Sequence, residues 1–124
     1  MPLPDYRHKL EVLAEHCRAV GRDPGDVRKS LVVQAVVART QDELDARLAS
    51  LAGARGASIE AMRARAMVGT PEQCVEQLMP YVEAGVGDFI IGARAPVDYV
   101  TLELVAGEVA PAVKARGAES LARR

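Results

Sequence analysis

The clearest hydrophobic pattern in the chain is a helix that runs into a short apolar strand, between residues 68 and 92. Thr70 predicts the start of the helix, because its hydroxyl can accept a hydrogen bond from the backbone N–H of Gln73 and the two residues have capping-box spacing. Gly85 suits the left-handed position that ends a helix. The apolar run 88–92 then predicts a strand that is buried on both faces.

The segment 31–38 predicts a second strand in the first half of the chain. Its sequence, L-V-V-Q-A-V-V-A, is nearly continuous and rich in β-branched residues, which is typical of a buried parallel strand. Thr40 and Glu43 form another capping-box pair and open a helix with an inward leucine stripe. Gly53 and Gly56 predict the turn that follows this helix.

Amphipathic stripes with three- and four-residue spacing predict further helices that open near Asp5, Ser58 and Asp98. A proline inside a helix removes a hydrogen bond, so we expect a kink just before Pro80 and a break or 3₁₀ turn beside Pro111. The inward positions of these stripes are Tyr6, Leu10, Leu13, Cys17, Val20, Ile59, Met62, Ala66, Leu102, Val105, Val109 and Val113.

Together these elements predict a single α/β domain over residues 1–124, in the order α-β-α-α-α-β-α, with 117–124 as a frayed tail. The two parallel strands would be joined by a right-handed crossover. Two strands alone leave both outer edges of the sheet open, and open edges need a cover. We therefore expect either a homodimer through the strand edges or pairing with strands from elsewhere, in another chain or a longer one.

Charge and composition argue against several kinds of partner. The 16 basic and 17 acidic residues leave a formal net charge of −1, which offers no field for nucleic acid, and the absence of tryptophan leaves no stacking platform for bases. The longest apolar run is too short to span a membrane, and no secretory signal pattern is visible. Cys17 and Cys74 lie in helical patterns and are interpreted as buried small side chains, which is typical of a cytoplasmic protein.

Three stretches of the sequence resemble segments of a known protein family. Residues 16–27, H-C-R-A-V-G-R-D-P-G-D-V, resemble its penultimate barrel turn; 68–91, with V-G-T-P-E-Q-C-V-E-Q-L and Y-V-E-A-G-V-G-D-F-I-I, resemble the helix that leads into its eighth strand. Residues 103–113, E-L-V-A-G-E-V-A-P-A-V, resemble its closing helix. The family is that of the luciferase-like monooxygenases, flavin- or deazaflavin-dependent oxidoreductases with a (β/α)8 barrel, and the resemblance is to its C-terminal portion.

The resemblance implies an α/β chain that forms a partial (β/α)8 barrel and supplies strands seven and eight. A complete barrel needs about 250 residues, so 124 residues cannot close one. The strands that carry the usual catalytic and flavin-contacting residues have no counterpart here, and the chain is not expected to be catalytic alone. FMN or a deazaflavin coenzyme is the family's cofactor, which this chain would bind with an N-terminal barrel partner or not at all. The open alternatives are a non-catalytic, self-associating relative and one half of a split enzyme.

Candidate cofactor-binding residues follow the two strands, because barrel phosphate sites use the loops after strands seven and eight. Gly92 would let a phosphate approach the backbone closely, and Arg94 would offer it a charged fork. Arg39 follows the other strand, just before a capped helix whose N-terminus favours an anion. The alternative for both arginines is a solvated surface side chain.

Three further residues carry weaker indications of chemistry. His8 and His16 lie on roughly one helix face, where each is either a general base or a surface histidine. Gln34 is either a barrel-interior residue that faces a ligand or a satisfied buried amide. The sequence shows no Ser–His–Asp set, no paired catalytic carboxylates and no Cys/His pair with metal-ligand spacing.

Overall fold

A computed structural model of the chain describes residues 1–92 and 97–122. A single 3₁₀ turn, Pro24–Asp26, precedes the first strand, and a π-helical turn, Val105–Val109, precedes the last helix. The remaining elements are α1 (Leu3–Ala19), β1 (Ser30–Val37), α2 (Gln41–Arg55), α3 (Ile59–Arg65), β2 (Ala66–Gly69), α4 (Pro71–Ala84), β3 (Asp88–Gly92), α5 (Tyr99–Leu104) and α6 (Ala110–Ala122).

The strands form one parallel sheet in the order β2-β1-β3. β1 and β3 are the two strands that the sequence predicts; they are neighbours, with residues 30–34 aligned with 88–92. β2 lies on the other side of β1 and aligns residues 66–69 with 34–37. The α/β class and the parallel pairing are therefore confirmed. The prediction of only two strands is wrong, and Ala66, expected on a helix, is the first residue of β2.

Side-chain caps start the helices where the sequence predicts them. The Glu43 N–H donates to Thr40 Oγ1 at 3.2 Å, and Ser58 caps α3 in the same way. At α4 the Thr70 N–H donates to Gln73 Oε1 at 3.0 Å within a capping box. These bonds satisfy backbone donors that a helix N-terminus leaves free.

Glycines in the left-handed conformation end α2 and α4. Gly56 follows α2 with φ 63°, and Gly85 follows α4 with φ 115°, a conformation that strains other residues. Gly53 lies inside α2. The turn expected between the glycines at 53 and 56 is therefore absent, and the helix continues to Arg55.

Helices pack on both faces of the sheet, because successive β1 residues point to opposite sides. Val37 belongs to a core with α4 and α6, whereas Val36 belongs to a core with α2 and α3. The first core includes Met67, Cys74, Leu78, Leu104, Val109 and Val113. The second includes Leu44, Leu48, Leu51, Met62 and Val68.

One end of the second face is uncovered. Val32 on β1 and Ile90 on β3 are aligned neighbours and are 59% and 53% exposed. The expectation that both strands are buried on both faces is therefore wrong here. Val32 and Ile90 are exposed because α2 and α3 cover only the part of this face that contains Val36 and Val68. Val32 and Ile90 form a small apolar surface that we call the open patch.

The two internal prolines have different surroundings. α4 continues through Pro80, so this proline does not end the helix. Near Pro111 the expected break is instead the π-helical turn Val105–Val109, in which the N–H of Ala110 donates to the oxygen of Val105. Pro111 has no N–H to donate to the carbonyl four residues earlier, and a π turn just before it shifts the bonding pattern without ending the helix. α6 then continues through most of the segment expected to fray.

Candidate functional site

Arg39 lies just past the end of β1, as predicted, and its guanidinium meets a carboxylate. Arg39 Nη1 donates to Glu108 Oε2 at 3.4 Å, and both side chains are largely exposed. An exposed pair at this distance adds little stability. Arg39 therefore links the strand end to the π-helical turn, and its cofactor-binding role stays a prediction.

Gly92 permits a close approach, and the group that approaches it is a side chain of this chain. Gly92 aligns with Gln34 across the sheet, and a Cβ added at Gly92 would lie 2.2 Å from Gln34 Nε2. The amide of Gln34 therefore lies over Gly92. Ala66 aligns with Gln34 on its other side, so small residues flank the amide in both neighbouring strands.

Arg94, the third predicted cofactor-binding residue, lies outside the described residues. The two described candidates follow adjacent strands but have different neighbours, Glu108 for Arg39 and Gln34 for Gly92. The strand ends are also offset, since Gly92 aligns with the middle of β1. Within residues 1–92 and 97–122, these two candidates are not brought together around a common point.

A hydrogen-bond network that the sequence did not predict lies at the end of β1. Thr101, which is 3% exposed, accepts from the Val37 N–H at 2.9 Å. Asp98 caps α5 by accepting from the Thr101 N–H at 3.1 Å, and it also accepts the Thr101 hydroxyl at 2.6 Å. Arg47 on α2 pairs with the same carboxylate. The network therefore connects α2, α5 and the end of β1.

The carboxylate of Asp98 remains charged in this network. Burial acts to raise the pKa of Asp98, but the hydrogen bonds from Thr101 and the ion pair with Arg47 outweigh it, so the pKa is lowered. The position of Asp98 as a helix start was visible in the sequence. Thr101 stands out only as a polar residue on an otherwise apolar helix face.

A cavity of about 120 Å³ lies over Gln34, between the second face of the sheet and the helices α2, α3 and α5. Its polar lining consists of Gln34, Arg55, Arg65, Asp98 and Thr101. Its apolar wall includes Val36, Leu51, Met62 and Leu102. Sequence reasoning noted Gln34 as a possible ligand-facing residue, but it did not find the two arginines at the helix ends.

A larger apolar groove of about 610 Å³ follows β3, between α4 and α6. Its apolar lining includes Leu78, Val82, Phe89, Ile91, Val105, Val109, Val113 and Leu121. Leu121 is 68% exposed. Among the described strands β3 pairs only with β1, so its outer backbone edge is open beside this groove.

The other candidates for chemistry are either exposed or deeply buried. His8 and His16 are exposed on α1, and His8 Nδ1 lies 3.9 Å from Glu11 Oε2. Cys74 is fully buried, and burial raises the pKa of its thiol to about 11, so it is not a thiolate near neutral pH. In the part of the chain that the structure describes, no group of three or more His, Cys, Asp or Glu side chains is placed to hold a metal ion.

Comparison with protein-family models, with curated proteins and with solved structures gives no match. None of the described helices combines the length and the apolar content that crossing a membrane requires. The functional interpretation therefore depends on the geometry of this chain and on the sequence resemblance.

Proposed function

We propose that the chain is the C-terminal segment of a luciferase-like flavin- or deazaflavin-dependent oxidoreductase, in which it supplies barrel strands rather than catalytic groups. The observation that carries the proposal is the pairing of β1 with β3. The resemblance assigns these strands to positions seven and eight, and neighbouring positions in a barrel require parallel pairing. β1 and β3 pair in parallel over residues 30–34 and 88–92.

Two incomplete surfaces support this proposal. The open patch of Val32 and Ile90 lies on the sheet face that would point into the barrel, where layers of side chains normally fill the space. The outer edge of β3 and the apolar groove beside it lie where the first barrel strand would pair. The complete barrel would bind FMN or a deazaflavin coenzyme, whose reduced ring supplies the redox chemistry.

The position of β2 favours a second candidate, a non-catalytic protein that self-associates. β2 occupies the side of β1 where strand six of a barrel would lie, and α2 and α3 cover part of the would-be interior face. The remaining open edge of β3 would then pair with the same edge of a second copy. A two-fold pairing of this kind covers the edge and buries the groove of both copies.

A chimaera separates the two candidates. The chain is fused behind the first six βα units of a luciferase-like oxidoreductase, and the same six units are also supplied as a separate chain to test a split enzyme. If the proposal is right, the fusion or the mixture is monodisperse and binds FMN or the deazaflavin coenzyme, as measured by fluorescence titration. A fusion that is folded but binds neither cofactor contradicts the proposal.

Two matched pairs of variants sharpen this test. Ile90→Lys should leave the isolated chain folded, since Ile90 is exposed, but should abolish cofactor binding by the chimaera because it places a charge inside the barrel. Val20→Lys is the control, because Val20, which the sequence predicted to face inward, directly follows α1 and is 77% exposed. For the self-associating candidate, light scattering should show a dimer that Leu121→Glu dissociates and Val20→Glu does not.

A further inference from the structure

The cavity between the sheet and the ends of α2 and α3 carries uncompensated positive charge. Arg55 is the last residue of α2, Arg65 is the last residue of α3, and both line the cavity. Neither has an ion-pair partner within residues 1–92 and 97–122. Asp98 also lines the cavity, but its charge is paired with Arg47. Two guanidinium groups therefore remain without a counter-charge.

The guanidinium of Arg55 contains a donor that has no partner among the described residues. The Nε atom of Arg55 is inaccessible to solvent and makes no hydrogen bond among the described residues. A buried donor on a charged group is costly to leave unpaired, and native proteins rarely do so. The amide of Gln34, which lies over Gly92, adds a neutral donor on the floor of the cavity.

We propose that this cavity binds a phosphate group, either inorganic phosphate or the phosphate of a small monoester, between Arg55 and Arg65. A dianion matches two positive charges, and the planar guanidinium suits phosphate oxygens. The Gln34 Nε2 group donates to a further oxygen. Of the described residues predicted to bind a cofactor, Gly92 lines this cavity and Arg39 does not. The cavity shares no lining residue with the groove beside the β3 edge.

The size of the cavity agrees with this ligand. About 120 Å³ is well above the roughly 10–15 Å³ that one water molecule needs. It is below the roughly 300 Å³ at which pockets for drug-sized molecules begin. The cavity therefore accommodates the phosphate group itself, while the remainder of a monoester would extend out of it past the exposed side chain of Arg65.

The competing explanation is that the arginines complement the negative C-terminal ends of α2 and α3 while water fills the cavity. Arginines in this role donate to the last carbonyls of their helix. Among the described residues, neither Arg55 nor Arg65 makes such a bond. The two guanidinium groups are therefore not held by hydrogen bonds to their own helix ends.

Calorimetric titration of the full chain at pH 7.5 in a chloride buffer tests the proposal, with inorganic phosphate, phenyl phosphate and acetate as probes. Phosphate should bind saturably to one site, and Arg55→Gln and Arg65→Gln should each weaken it about tenfold or more. Arg63→Gln is the matched control, because Arg63 belongs to the same helix and carries the same charge but does not line the cavity. The affinity of the Arg63→Gln variant for phosphate should stay within about twofold of that of the original chain.

Arg55→Lys keeps the charge but removes the fork and its buried Nε–H, and it should also weaken phosphate binding. Circular dichroism verifies that each variant is folded, and Arg65→Gln, at an exposed position, provides the test if Arg55 variants unfold. Three results would overturn the proposal. They are an absence of saturable binding, as for a cavity that holds only water; an equal loss in Arg63→Gln; and acetate binding as tight as phosphate.

Discussion

Thr101 takes the place of a neighbouring strand at the end of β1, where its hydroxyl oxygen lies 2.9 Å from Val37 N and 3.3 Å from Val37 O. The next residue, Ala38, bonds to β2 through the Gly69 oxygen, so Val37 faces the β3 side. The described part of β3 reaches only Gly92, which aligns with Gln34. The buried Thr101 hydroxyl thus accepts from the Val37 N–H, which has no strand partner among the described residues, while its single proton lies on the shorter bond to Asp98.

The first prediction concerns this contact. Thr101→Val keeps the shape of the side chain but leaves the buried Val37 N–H unpaired, which should reduce the free energy of unfolding by about 1–3 kcal/mol. Thr101→Ser retains the hydroxyl and should lose much less. Urea denaturation of both variants measures the difference. If the serine variant is as unstable as the valine variant, the methyl group rather than the hydrogen bond is what matters at this position.

The second prediction concerns Asp98 and pH. The folded pKa of Asp98 lies below its unfolded value, so its stabilisation is fully present above about pH 4 and is lost as the pH falls through the folded pKa. The original chain should be more stable than Asp98→Asn at pH 7, and the difference should shrink below about pH 4. Asp26→Asn, at an exposed residue, is the control. If the stability difference between the original chain and Asp98→Asn does not change with pH, Asp98 does not have a lowered pKa in the folded chain.

The sequence predicted those parts of the fold that depend on local interactions. The caps at Thr40, Ser58 and Thr70 each need only a side chain and a backbone N–H three residues away, so a short pattern suffices. β2 was missed because its four residues, A-M-V-G, have no alternation and are followed directly by the Thr70 cap. Whether Ile90 is buried depends on how far α2 and α3 reach over the sheet, which no local pattern records.

The candidate sites were less predictable for the same reason. Gln34 stood out because an amide inside an apolar strand is unusual, and it does line the cavity. Arg55 and Arg65 did not stand out, since arginines in the last turn of a helix are common and complement its negative end. Arg55 and Arg65 reach the same cavity only because the ends of α2 and α3 both pack over the part of the sheet that contains Gln34. That arrangement depends on β2, which the sequence did not predict.

The third prediction tests the contact between Gly92 and Gln34. Gly92→Ala places a Cβ against the Gln34 amide and should destabilise the chain, whereas the same change in a Gln34→Ala background should be nearly neutral. The double-mutant cycle should give a coupling free energy of about 0.5–3 kcal/mol. Gly53→Ala is the contrasting control, because Gly53 lies inside α2 with open space around it.

Gly53→Ala should therefore stabilise the chain by about 0.5–1 kcal/mol. Thermal unfolding of all four combinations at positions 34 and 92, with this control, measures both effects. If the stability effects of Gln34→Ala and Gly92→Ala are additive, the Gln34 side-chain amide can move away from Gly92 at no cost in free energy. In that case Gln34 would not be held over the cavity floor.

The fourth prediction concerns Cys74, whose side chain is fully buried between α4 and the sheet and whose thiol has a pKa raised to about 11 by burial. In a Cys17→Ser chain, iodoacetamide should label Cys74 only through transient unfolding, so the native rate at pH 8 should be lower than the rate in urea by orders of magnitude. Mass spectrometry of the labelled chain measures both rates. Labelling of the native chain as fast as in urea would show that α4 does not seal this residue, and would remove the basis for treating Cys74 as a core side chain.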